Sequence, residues 1–158
     1  MNRIFKSILF LILFILIYPS SLFGQMIDLG QAKIISLEKK DPLVLNAITV
    51  LQEEISKRSS ITLTKGNKFS NKTQSAVVIG LQTGLDKFPL EYKQLLATMP
   101  EIKAEGYKLA VVSEKNVVLV VGSDSRGVLY GIGKLLRKLE LSQGHILLPS
   151  DLNIASSP

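Results

Sequence analysis

The sequence predicts an α+β domain: a single mixed or antiparallel sheet with two main helices packed on one face. Three observations carry that prediction. Two segments have one apolar stripe each at i, i+4, i+7 and i+11: Val44, Ile48, Leu51 and Ile55 in the first, Val128, Ile132, Leu135 and Leu139 in the second. Two short runs, Ala76–Leu81 and Val117–Val121, are apolar at nearly every position, as in strands buried on both sides. Finally, the elements follow the order strand, helix, two strands, weak helix, hairpin, helix, strand. Two helices with single stripes pack most simply on one side of one sheet.

Taken in chain order, the first segment is a targeting signal over residues 1–24. Arg3 and Lys6 form a positive start, Ile8 to Tyr18 is an apolar run of eleven residues, and Pro19-Ser20-Ser21 and Gly24 supply breaking and small residues. The run falls short of the ~20 residues a spanning helix needs, so cleavage after Ser21 or Gly24 is expected, with no stable membrane insertion afterwards. That places the mature protein outside the cytoplasm, secreted or periplasmic. No cysteine follows the run to carry a lipid, and the chain has none anywhere, so the domain rests on its core alone. The 134 residues after Gly24 suffice for one such core.

Lys33–Leu37 reads as a first strand. Asp41 and Pro42 then start a helix, Asp as cap and Pro at the first position, where no N–H is needed. The stripe carries that helix to about Arg58. Ile61–Thr64 is rich in β-branched residues and reads as a second strand. Lys65–Gln74 has loop composition, and Ala76–Leu81 follows as a buried strand. A weaker helix spans Leu90–Thr98 and ends at Met99-Pro100. Tyr107–Val112 and Val117–Val121 flank a polar turn as a hairpin. Asp124 or Ser125 caps the last helix, His145–Leu148 is a final strand, and residues 150–158 form an extended polar tail. Apolar strands need cover on both faces. The helices supply one side, so loops, the weak helix or a neighbouring domain must supply the other.

Charge excludes one class of function. Without Arg3 and Lys6 the 19 basic residues become 17 against 13 acidic, and the net charge falls from +6 to +4. These charges are dispersed, tryptophan is absent and aromatics make up 6% of the chain, so no basic stripe with stacking rings for nucleic acid is present.

The phosphate-loop spacing of Gly122-Ser123-Asp124-Ser125-Arg126-Gly127 lacks its chemistry. Val128 and Leu129 stand where the lysine and the magnesium-binding hydroxyl belong, so no nucleotide cofactor is expected. His145, the chain's single histidine, has no partners at metal-ligand or acid–base spacing and reads as a turn residue. Glu53 and Glu54 are neighbours on a helix and diverge by about 100°, so they are a solvated pair rather than a catalytic one. The sequon at Asn71 carries meaning only in a glycosylating host. No catalytic, cofactor-binding or metal-binding residue is therefore assigned. Arg126, unfavourable at a helix start, requires a carboxylate partner such as Asp124. Arg126, Asp124 and Tyr130 are the candidate contacts with another domain or a ligand. Gly127 and Gly131, four apart on the same helix, imply close helix–sheet approach.

The words Gly106-Tyr107, Gly122-x-Asp124-x-Arg126-Gly127, Leu129-Tyr130-Gly131 and Leu135-Leu136-Arg137 form a set. With Leu148-Pro149-x-Asp151-Leu152-x-Ile154-Ala155 and a final Pro158, that set resembles the N-terminal non-catalytic domain of bacterial glycoside hydrolases. The kinds meant are family 20 β-hexosaminidase-like enzymes and family 67 α-glucuronidases. The resemblance implies the β-hexosaminidase domain 2-like, zincin-like fold, which buttresses a catalytic barrel. The family 20 catalytic Glu and Asp belong to that barrel and map to no position here. It also implies that residues 25–149 are the domain and that 150–158 lead towards a barrel the chain does not contain, as in a truncated or split gene product. The partner is then a catalytic barrel. The alternative is a stand-alone module using an uncovered sheet face for glycan or protein. Four tyrosines and six phenylalanines, four of the latter within residues 1–24, leave a thin platform for sugar stacking.

Overall fold

The computed structural model describes residues 24–66 and 75–158. The expected targeting segment, up to residue 23, and the sequon at Asn71 lie outside them. Nine strands and three α-helices follow one another among the described residues: β1 (Met26–Asp28), β2 (Lys33–Ser36), α1 (Pro42–Ser59), β3 (Thr64–Gly66), β4 (Ala76–Leu81), α2 (Leu90–Thr98), β5 (Tyr107–Val112), β6 (Val117–Gly122), α3 (Ser125–Lys138), β7 (Glu140–Ser142), β8 (His145–Pro149) and β9 (Asn153–Ser156). A 3₁₀ segment, Gln82–Lys87, precedes α2.

The main sheet is mixed and six-stranded, in the order β3-β2-β4-β6-β5-β9. Its left half is parallel, β2 to β3, β2 to β4 and β4 to β6. Strand β5 runs antiparallel to both β6 and β9. A second, three-stranded sheet in the order β1-β8-β7 is antiparallel throughout.

The apolar-at-every-position strands are explained by two cores, one on each face of the main sheet. Val118 and Val120 of β6, Val77 and Ile79 of β4, Leu109 and Val111 of β5 and Ile34 of β2 point to the first. There they meet Val44, Ile48, Leu51 and Ile55 of α1 and Val128, Ile132 and Leu135 of α3, with Ile27, Ile146 and Leu148 from the small sheet. Both predicted stripes are therefore the buried ones. The alternate residues Val117, Leu119, Val121, Ala76, Val78, Ala110 and Ile35 point to the second core, under Phe88, Tyr92, Leu96 and Met99. Helix α2 and the residues leading into it are thus the cover that the sequence required.

This settles the open sheet face on which a stand-alone glycan or protein module would rely: α2 occupies it. The helix is short and only weakly amphipathic, so polar contacts fix it as well. Lys108, on β5, sends its ammonium through the second core to donate to the carbonyls of Leu96 (2.8 Å) and Met99 (3.3 Å). A cation at the carbonyl end of a helix suits the helix dipole. At the other end, Lys115 pairs with Glu91 and lies 5.9 Å from the centre of the Tyr92 ring.

Three segments depart from the sequence expectation. The strand expected over Ile61–Thr64 forms at Thr64–Gly66 instead, because Leu63 turns into the core and its carbonyl accepts a bond from Gln52 Nε2 at 2.6 Å. The expected tail carries β9, an edge strand of the main sheet, anchored by the buried Leu152 and by Val111 N–H donating to the Leu152 carbonyl at 3.0 Å. The last expected strand, here β8, joins the small sheet, with β1 and β7 as unforeseen short partners.

Replacing Lys108 by Met keeps the apolar stem but removes the ammonium donor from the Met99 carbonyl and from the Leu96 carbonyl, which keeps only the Met99 N–H at 3.4 Å. Such a loss costs about 1–3 kcal/mol. Amide exchange of the Lys108→Met variant should show α2 deprotected before the strands of the main sheet; uniform protection would refute the tethering role.

Candidate functional site

Strand β5 begins, β6 ends and α3 starts at one joint, and its chemistry is set by glycine and aspartate. A β-carbon on Gly127 would be driven into the carbonyl oxygen of Gly106, and one on Gly122 into the Asp124 carbonyl and the Val128 amide. Backbone therefore packs on backbone, and the Ser123 N–H reaches the Gly106 carbonyl at 2.9 Å. Gly131 continues the approach one turn later, where a β-carbon would lie 2.9 Å from Val120 Cγ1. The close helix–sheet approach expected from Gly127 and Gly131 is present.

Asp124 is the cap of α3. Its Oδ1 accepts from Gly127 N–H at 2.9 Å and its Oδ2 from Glu105 N–H at 2.8 Å. Glu105 sits at φ 61°, and this bond holds it there. Asp41 caps α1 in the same manner, accepting from Leu43 N–H (2.9 Å) and Val44 N–H (3.2 Å), while its second oxygen accepts from the Ser125 hydroxyl. The two helix starts are thus stitched together, and their positive ends are met by the chain's own carboxylates. The phosphate-loop spacing from Gly122 to Gly127 serves this joint.

Of the three candidate contacts, Asp124 is committed to capping. Arg126 finds its carboxylate in Glu105, Nη1 to Oε1 2.6 Å, rather than in Asp124, and its side chain remains two-thirds exposed (67%). Tyr130 is 45% exposed on the outer side of α3. It stands over an open groove of about 630 Å³ lined by Glu105, Tyr107, Leu129, Gly133, Arg137 and the end of the chain from Ser156 to Pro158. Sequence reading missed the groove because its far wall is the edge of β9, which was expected as a tail. The signal that could have found it is Gly133. Unlike Gly127 and Gly131, its β-carbon would meet nothing but Arg137 Nη1, at an ordinary 3.5 Å.

His145 opens β8 opposite Ser142 across a turn in which Gly144 has φ 79°. Glu53 is exposed and Glu54 half-buried on α1. Among the described residues no three His, Cys, Asp or Glu side chains cluster as metal ligands would.

Both caps are shifted acids. The Asp124 carboxyl is held below the ordinary carboxylate range, first by Gly127 N–H and then by Glu105 N–H. That of Asp41 is lowered first by the Ser125 hydroxyl and then by Val44 N–H. A carboxyl with a lower pKa in the folded chain stabilises the fold above its unfolded value, about 3.9, and that stability goes as pH falls through the folded value. Stability below about pH 4 should therefore fall less steeply in the Asp41→Asn/Asp124→Asn double variant, and an unchanged slope in acid denaturation would count against both roles. The glycines make a second test by thermal melting. Gly127→Ala should destabilise by about 1–3 kcal/mol through overpacking, whereas Gly133→Ala should stabilise by up to about 1 kcal/mol. Equal effects would contradict the packing described.

Comparison with known proteins agrees with this architecture. The family model described as glycosyl hydrolase family 67 N-terminus matches residues 30–135, from the turn before β2 to the last turn but one of α3. No curated protein matches the chain in sequence. Among solved structures, a family 115 4-O-methyl-α-glucuronidase is similar over 84% of this chain, with TM-score 0.59 and 21% identity. A family 20 exo-β-N-acetylglucosaminidase from Vibrio harveyi is similar over 86%, with TM-score 0.57 and 16% identity. A family 20 β-N-acetylhexosaminidase from Streptomyces coelicolor is similar over 86%, with TM-score 0.58 and 14% identity. The likeness is one of fold. The chain spans 18%, 17% and 24% of the length of those three proteins.

Proposed function

The chain belongs to the glycosyl hydrolase family 67 N-terminal family, and from that premise we propose that it is an exported, non-catalytic accessory domain that supports the catalytic domain of a carbohydrate-active glycoside hydrolase. The observation that carries the proposal is the use to which the domain puts its carboxylates. Glycoside hydrolysis needs two carboxyl groups facing one another across a sugar. Asp41 and Asp124 give their oxygens to helix caps, Glu105 to Arg126 and Glu91 to Lys115. The groove lining holds one carboxylate side chain, Glu105, already paired with Arg126. The site is built for support, and the chemistry belongs to its partner.

Export rests on Arg3, Lys6 and the apolar run from Ile8 to Tyr18. N-terminal sequencing of the protein recovered from medium or periplasm should begin at Leu22 or Gln25; a membrane-bound chain that keeps Met1 would contradict export. The DNA beyond the codon for Pro158 decides whether the catalytic domain is joined covalently or supplied as a separate chain.

The mature protein should release no nitrophenol from β-N-acetylglucosaminide or α-glucuronide chromogenic substrates, and should raise the melting temperature of the accompanying catalytic domain. Turnover by the mature protein alone would overturn the proposal.

A further inference from the structure

A sheet covered on both faces leaves small openings only where the cover stops, at the ends and edges of its strands. In open sheets with parallel strands, ligands gather outside the carboxyl ends. Strands β2 and β3 run parallel, and beside their carboxyl ends, under the first half of α1, lies a pocket of about 180 Å³. Ile34, Leu45 and Ile48 give it an aliphatic wall, and Lys39 and Lys65 give it two ammonium groups. Lys65 stands opposite Ile34 in the β2–β3 register, so its stem starts on the same face of the sheet as that wall.

Neither lysine is answered by a carboxylate. The acids that flank Lys39 are spent elsewhere: Glu38 on Lys87 at 3.7 Å, and Asp41 on the Leu43 and Val44 N–H groups and the Ser125 hydroxyl. No ion pair among the described residues includes Lys39 or Lys65. Residues 1–23 and 67–74 contain no Asp or Glu that could supply one. Two cations that line one small pocket repel each other, and an anion between them turns that repulsion into attraction.

We propose that this pocket binds a small monocarboxylate, its carboxylate between Lys39 and Lys65 and its apolar body against Ile34, Leu45 and Ile48. Size and polarity select the occupant. Pockets for drug-sized ligands hold about 300–1,000 Å³, so this one takes a single ring or a short chain beside its carboxylate. A sugar acid would bring hydroxyls in need of free partners. The side-chain hydroxyl in the lining, Ser36 Oγ, already donates to the Glu38 carbonyl (3.0 Å) and accepts from the Glu38 N–H (3.2 Å). Bare phosphate would leave the aliphatic wall unused. The pocket owes nothing to the accessory role, so its failure would leave that role untouched.

The test is a titration of the ¹⁵N-labelled mature protein with sodium benzoate at constant ionic strength, followed by amide chemical shifts. Saturable shifts are expected at Ser36, Lys65 and Gly66, and neutral benzamide should produce none. The Lys39→Ala/Lys65→Ala variant should bind at least tenfold more weakly, and Lys39→Arg/Lys65→Arg should stay within threefold of the parent. Lys57→Ala/Arg58→Ala, which removes two cations at the other end of α1, should stay within twofold. The lysines replaced are exposed, so the melting temperature should hold within a few degrees. Absence of saturable shifts, or equal binding by the double alanine variant at Lys39 and Lys65, overturns the site. Equal binding of benzamide overturns the role of charge, equal binding of inorganic phosphate overturns that of the apolar wall, and tighter binding of glucuronate overturns the choice of an apolar acid over a sugar acid.

Discussion

The fold depends on one constraint: strands β4 and β6 are apolar on both faces, so the sheet must be covered on both sides. Burying an apolar side chain is worth about 1.5–3 kcal/mol relative to leaving it exposed, so eight or more exposed valines, leucines and isoleucines could not be sustained. Everything else answers to that demand. Helices α1 and α3 with the small sheet close one face, and α2 with Phe88 and Met99 closes the other. Lys108 then explains how so short a helix stays in place, by using the last carbonyls of α2 as ligands for a buried ammonium. The two-sided cover also limits function. A sheet with no free face cannot present a flat binding platform, and the surfaces left for recognition are the outer sides of the covering elements.

The joint at Gly106, Gly122 and Gly127 links this packing to the groove. Close backbone contact there sets the depth at which α3 lies on the sheet. Asp124 then fixes the start of the helix and, through Glu105 N–H, the backbone before β5. Glu105 is thereby placed to meet Arg126. The pairing orients the first turn of the outward stripe on which Tyr130 and Gly133 follow. Caps, glycine contacts and groove thus form one chain of cause, from the identities of a few residues to the shape of a surface.

Much of this was legible in the sequence because the helices announce themselves by period and cap. Val44 to Ile55 and Val128 to Leu139 mark the buried stripes, Asp41-Pro42 and Asp124 mark the starts, and the unbroken Val117–Val121 run required a second cover. The end of α2 followed from Met99-Pro100 in spite of its weak pattern. The edges were less legible. Strands β1, β7 and β9 are three or four residues long and, Ile27 apart, have exposed or half-buried side chains, so alternation is too brief to detect and their place is decided by pairing across the chain. The strand expected at Ile61–Thr64 slipped because β-branched composition says nothing of Gln52 reaching for the Leu63 carbonyl. For the site, Arg126 was correctly marked as needing a carboxylate. That it would be Glu105 depended on the left-handed turn before β5. The groove needs β9 as its wall and so could not be seen until the tail was known to pair.

The central claim is that this domain supports a catalytic domain from the outside of its covering elements while its own sheet stays closed on both faces. Amide-exchange footprinting of the mature chain, alone and with its accompanying catalytic domain, tests it most directly. The account predicts slowed exchange on the outer surface when the catalytic domain is added, with the strands of the main sheet unchanged. Exchange that is the same with and without the catalytic domain would contradict it.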